Sequence, residues 1–147
     1  MQASDFPIVT TDKVRYNDTD RQGHVNNAVF ATFMELARVE VLERPELALS
    51  EAGTSFVLAR LAIDYRAEIH WPGEVQIATR VGQVGRSSIA FEQAIFQHGQ
   101  LCGHGQSVVV LVDGQTKRSR PLSEAARDRL ERHRAPADGP EHEPAPR

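Results

Sequence analysis

The chain has 147 residues, a formal net charge of −3, 40% hydrophobic and 25% charged residues, enough for one domain with a real core. The charge balance offers no clustered basic face for nucleic acid, and no apolar run approaches the ~20 residues that span a bilayer, so no membrane insertion is expected. A single cysteine, Cys102, excludes an intrachain disulfide, and residues 1–13 lack a basic segment followed by an apolar one, so a cytoplasmic location is expected.

Phe6 to Tyr16 predicts a first strand, with Ile8, Val14 and Tyr16 available for burial. The stretch RYNDTDRQGHVNNAVFATFMELARVEVLER, residues 15–44, then divides into a polar loop and an amphipathic helix. Phe30, Phe33, Met34, Ala37 and Val41 recur at the spacing of one buried helical stripe. Asn26 or Asn27 suits the N-cap, and Pro45, which lacks a donor, ends the helix. At about 1.5 Å per residue the helix is roughly 25 Å long, enough to cross a small domain.

Four strands follow. Phe56 to Ile69 alternates, with Val57, Ala59, Leu61, Ile63 and Tyr65 on one face; Val75–Val81, Ser88–Gln97 and Leu101–Val112 come after it. Short turns between them predict an antiparallel meander. The run Val108 to Val112 does not alternate, which predicts burial on both faces. Ser123 caps a short helix ending near His133, and the Pro-rich acidic residues 134–147 are expected to be disordered beyond a single domain of residues 1–133. The fold class is α+β, a long helix lying across one antiparallel sheet.

Turn and cap chemistry accounts for much of the loop, since Asp, Asn and Gly favour both roles. Three features go further. Asp18 and Asp20 stand two apart, with Glu35 on the helix beyond them; His24 and two asparagines are packed between Gly23 and the helix start. The helix N-terminus also brings oriented backbone donors suited to a developing oxyanion. Asp18, Asp20 and His24 offer metal ligands, but no second His or Cys stands at zinc spacing, so no metal is expected. His70, His98 and His104 read as ordinary turn and strand residues, and Cys102 as a core or interface thiol.

The segment VRYNDTDRQGHVNNAVFATFMELAR resembles the signature of hotdog-fold acyl-CoA thioesterases of the 4-hydroxybenzoyl-CoA thioesterase group, and IDYRAEIHWPGEVQIATRV and GRSSIAFEQAIF extend the likeness over residues 6–130. The resemblance implies a central helix wrapped by five antiparallel strands. It implies subunits paired edge to edge as a homodimer or homotetramer, with active sites at the interface. The catalytic carboxylate falls on Asp20 and the carbonyl-polarising backbone N–H on Asn27, with His24 and Glu35 as further candidates. Gly23, Val25, Asn26, Phe30 and Phe33 fall around the substrate. Phe30 and Phe33 stand where tyrosines are frequent, which implies a more apolar acyl pocket.

Thioester hydrolysis on this pattern needs no cofactor beyond the coenzyme A of the acyl-CoA substrate. Asp20 can activate water or attack the carbonyl, and both routes stay open. His24 and Asn26 either position water or cap the helix, with capping favoured. Arg86, Ser87 and Ser88, and Lys117 with Arg118, are candidates for the coenzyme A phosphates. A hotdog hydratase or dehydratase is the competing enzyme, and an acyl-CoA-binding protein without catalysis the competing class.

Overall fold

The apolar stripe of the long helix decides the architecture. Helix α1 (Asn27–Leu42) buries Phe30, Phe33, Met34, Ala37 and Val41, the stripe read from the sequence. The computed structural model describes residues 1–49 and 51–134, so the acidic tail lies outside the described residues except for Arg134, which bridges Val81.

Five strands, β1 (Ile8–Lys13), β2 (Thr54–Tyr65), β3 (Glu74–Val84), β4 (Ser88–Gln97) and β5 (Gln100–Asp113), form one antiparallel sheet in the order β1-β3-β4-β5-β2. This is the hotdog arrangement, the sheet wrapped around α1. The meander holds for β3, β4 and β5 only. β2 does not pair with β3 as its short connection predicts; it pairs with β5, and β1 takes the place beside β3. The reason lies in residues 66–73, which cross the end of the sheet. The N–H groups of Arg66 and Ala67 donate to the Cys102 carbonyl, Val25 N–H to Ile69, and Val14 N–H to Gly73. The connector thus satisfies its own backbone while travelling from the β2 edge of the sheet to β3, next to the opposite edge.

Strict alternation along β2 also fails. A register shift between Leu58 and Arg60 inserts Ala59 as an extra residue. Phe56 before the bulge and Leu61 and Ile63 after it all pack on the core, while Val57 and Leu58 stand exposed. Tyr16, expected in the core, is exposed: β1 ends at Lys13, and Tyr16 opens a short 3-10 turn, its ring edge-on to Trp71. In β5, Val109, Leu111 and Val112 are buried, whereas Val108 and Val110 are half-buried.

Two glycines of β5 leave room for side chains of α1. A Cβ on Gly105 would stand 2.7 Å from the Ala62 carbonyl oxygen and 3.0 Å from the Met34 methyl. One on Gly103 would meet the Phe30 ring at 3.0 Å. The buried Gln93 side chain then ties helix to sheet. Its Nε2 donates to the Met34 carbonyl at 2.9 Å and to Thr79 Oγ1 at 3.2 Å, while its Oε1 accepts from Arg38 Nη1 at 3.4 Å. Burial pushes the Arg38 guanidinium below its ordinary value, and Glu35, less than one turn away, opposes that shift.

Helix α2 (Glu124–Arg132) closes the other end of the core with Ala126 and Leu130, and Ser123 caps it by accepting from Ala126 N–H at 3.1 Å. Among the described residues no helix is long and apolar enough to cross a membrane.

Candidate active site

The polar loop folds as a tight hairpin entering α1. Asp20 N–H donates to the His24 carbonyl at 2.7 Å, and Thr19 bridges Val25. Gly23 turns the chain at φ +81°, a conformation in which L side chains are strained, and its N–H returns to the Asp20 carbonyl at 3.1 Å. Asp18 serves the turn: its Oδ2 accepts from Arg15 N–H at 2.7 Å.

Asp20 is held differently. Its Oδ1 accepts from Gln22 N–H at 2.8 Å and His24 N–H at 3.2 Å. Its Oδ2 accepts from no described residue. The loop therefore fixes the carboxylate through one oxygen and leaves the other uncommitted among the described residues.

The helix start is capped by Asn26, whose Oδ1 accepts from Ala28 N–H at 2.9 Å. His24 does not cap, contrary to the favoured expectation, because the asparagine already does so. The His24 ring turns to Glu68 instead, with Nε2 3.1 Å from Oε2. The N–H of Asn27 has no acceptor among the described residues, as the first position of a helix requires.

Asp20 and Asn27 line one cavity of about 390 Å³, together with Gln22, His24, Val25 and Phe30. The opposite wall is Tyr65 at the end of β2 followed by Arg66, Ala67 and Glu68. The Tyr65 ring meets Phe30 edge-on at 5.0 Å. The wall is thus less apolar than the phenylalanines predict, since a hydroxyl arrives from another element.

Other predicted residues fall elsewhere. Gly23 and Asn26 shape the loop and the cap, and Phe33 is buried in the core below the helix. Glu35 is exposed beside Arg38. Arg86 and Ser87 occupy the β3–β4 turn and Ser88 opens β4; Ser88 pairs with Val110, whereas Tyr65 pairs with Gly103. Seven residues of β5 separate those pairs, about 23 Å of strand. Lys117 and Arg118 follow β5 at that same far end, where Asp113 N–H donates to the Arg118 carbonyl. Neither group reaches this cavity within one chain.

Sequence reasoning missed Gln22, Tyr65, Arg66 and Glu68. Only Tyr65 carried a signal, as the last residue named on one face of the strand expected over residues 56–69. Burial raises the pKa of the Cys102 thiol, which leaves it a poor nucleophile. Away from the cavity, Glu92 accepts from Arg80 Nε at 2.6 Å and lies 2.8 Å from His104 Nε2. The His104 hydrogen bond first, and Arg80 after it, hold the Glu92 carboxyl down to about 2 against the opposing effect of burial.

Residues 14–130 match the family model described as the thioesterase-like superfamily. The acyl-CoA thioesterase YbgC of Haemophilus influenzae is 31% identical over 112 residues, 74% of this chain and 79% of that protein. A thioesterase from Thermus thermophilus, solved with coenzyme A and zinc, is 37% identical with a TM-score of 0.75, covering 85% of this chain and 98% of that one. The PA5185 protein of Pseudomonas aeruginosa superposes with a TM-score of 0.80 at 27% identity, covering 91% and 96%.

Proposed function

Since the chain belongs to the thioesterase-like superfamily, we propose that it hydrolyses the thioester of a fatty or aromatic acyl-CoA in the cavity between the Asp20 loop and Tyr65. One observation carries this reading. A carboxylate with one uncommitted oxygen and a helix-start N–H with no acceptor line the same cavity.

The Asn27 N–H, at the positive end of α1, polarises the thioester oxygen and stabilises the oxyanion that forms there. Two routes use Asp20. As a base, it takes a proton from water while the oxygen adds to the carbonyl; the tetrahedral adduct then expels the coenzyme A thiolate, which recovers the proton. As a nucleophile, it attacks the carbonyl and expels the same thiolate, and water then cleaves the mixed anhydride. His24, held by Glu68, forms the cavity wall next to Asp20. Glu35, on the exposed face of α1, takes no part within one subunit. Coenzyme A as carrier is supported by the relative solved with that molecule.

The working unit is a homodimer or homotetramer. β2 is an edge strand, and its Val57 and Leu58 are 42% and 48% exposed. Unpaired edge groups with apolar side chains invite a second strand. Two copies joined antiparallel through β2 bring the far end of one sheet to the Tyr65 end of the other. Arg86, Ser87, Ser88, Lys117 and Arg118 then serve the coenzyme A phosphates of the neighbouring cavity.

The test is release of free thiol from a panel of acyl-CoAs. Turnover of at least one is expected. Hydration of an enoyl-CoA without thiol release would favour a hydratase, and tight binding without either reaction would favour a non-catalytic binder; each overturns the proposal.

A further inference from the structure

The geometry points to a binding site for one divalent transition-metal ion at the mouth of the cavity, with the imidazoles of His24 and His70 and the carboxylate of Glu68 as ligands. Nε2 of His24 stands 3.1 Å from Glu68 Oε2, and Nε2 of His70 stands 3.7 Å from the same oxygen. All three ligand atoms lie within 4.8 Å of one another. Metal–ligand bonds of about 2.0–2.1 Å at a tetrahedral centre place ligand atoms about 3.4 Å apart. Small side-chain rotations therefore close the site.

The backbone is set for this before any ion arrives. His24 and His70 are paired as a β-bridge, and Val25 N–H donates to Ile69 at 2.8 Å. The buried Gln97 side chain clamps His70 from behind, accepting from its N–H at 2.9 Å and donating to its carbonyl at 2.8 Å. A buried amide spent on the backbone of an exposed histidine holds that histidine in register with its partner. The two rings stand perpendicular, with centroids 5.2 Å apart, both reaching one carboxylate.

Two imidazoles and one carboxylate suit zinc, cobalt or nickel, whereas magnesium and calcium prefer oxygen donors throughout. Three protein ligands leave a fourth position for water or a ligand. The side chains of His24, Glu68 and His70 are 28%, 59% and 58% exposed, so an ion enters without opening the fold.

The test is titration of the untagged full chain with cobalt(II), followed by visible absorption and without any acyl-CoA present. A saturable one-to-one signal that zinc displaces is expected. His70→Ala and Glu68→Gln each weaken binding by at least about tenfold. His133→Ala, at the end of α2, leaves it unchanged, and circular dichroism establishes that each variant is folded. Absence of a one-to-one signal in the parent, or equal affinity in a folded His70→Ala, would overturn the site. The readout needs no turnover, so its failure is distinct from failure of the thioesterase reading.

Discussion

The Tyr65 hydroxyl donates to the Asn27 carbonyl at 3.1 Å, joining two residues 38 apart in the chain. With the edge-on contact to Phe30, this ties the end of β2 to the first turn of α1. Replacing Tyr65 by Phe removes one hydrogen bond in a partly exposed setting, worth about 1 kcal/mol. A fall in kcat/KM of about fivefold is expected, with the melting temperature lowered by no more than a few degrees. Unchanged kcat/KM would exclude the hydroxyl from any part in ordering the helix start.

On the proposed mechanism, Asp20 carries the chemistry and Asp18 the structure of the loop. In Asp20→Asn the amide oxygen still accepts from Gln22 and His24, so the loop persists while the charge is lost. Turnover is expected to fall by about 10²-fold or more. Asp18→Asn should retain turnover within about tenfold and most of its stability, since its amide oxygen still accepts from Arg15, whereas Asp18→Ala should lose about 1 kcal/mol. Comparison of kcat and thermal unfolding for these variants checks the division; equal turnover in Asp20→Asn and the parent would end it.

Glu92 sets an acid limb to stability. Its folded value, about 2, lies below its ordinary 4.5, so its contribution is whole above about pH 4.5 and is lost as pH falls towards 2. Glu92→Gln should cost about 1–2 kcal/mol at pH 7, limited by the partial exposure of the pair, and should flatten the loss of stability between those pH values. Chemical unfolding at pH 7, 4 and 3 measures both. An unaltered slope would show that Glu92 gains nothing from His104 and Arg80.

The exposed edge of β2 predicts that Leu58→Lys lowers the assembly towards a single chain, with activity falling alongside it. Light scattering and specific activity across a dilution series test this together. A parent fully active at the mass of one chain would refute the shared site.

What could be read beforehand follows from which interactions are local. The α1 stripe, the Asn26 and Ser123 caps and the bounds of β4 rest on neighbours within four residues or on simple alternation. The placement of β2 beside β5 does not, because alternation states which face is buried and nothing about the neighbouring strand. The Ala59 bulge swaps faces halfway along a strand whose residues are all acceptable either way. The motif picked out the Asp20 and Asn27 positions. Tyr65, Glu68 and His70 came to the loop only through the crossover, which no local pattern encodes.

That crossover also orders events in time. Thr54 pairs with Asp113 and Tyr65 with Gly103, so β2 emerges from the ribosome well before its partner exists. β3, β4 and β5 meet through short turns and have the lowest closure entropy, which makes them the natural nucleus. The Asp20 loop and α1, although synthesised early, gain their second wall only when β5 is complete and β2 returns to it. A nascent chain stopped short of Gly103 holds every residue of the hairpin and no cavity for it to face.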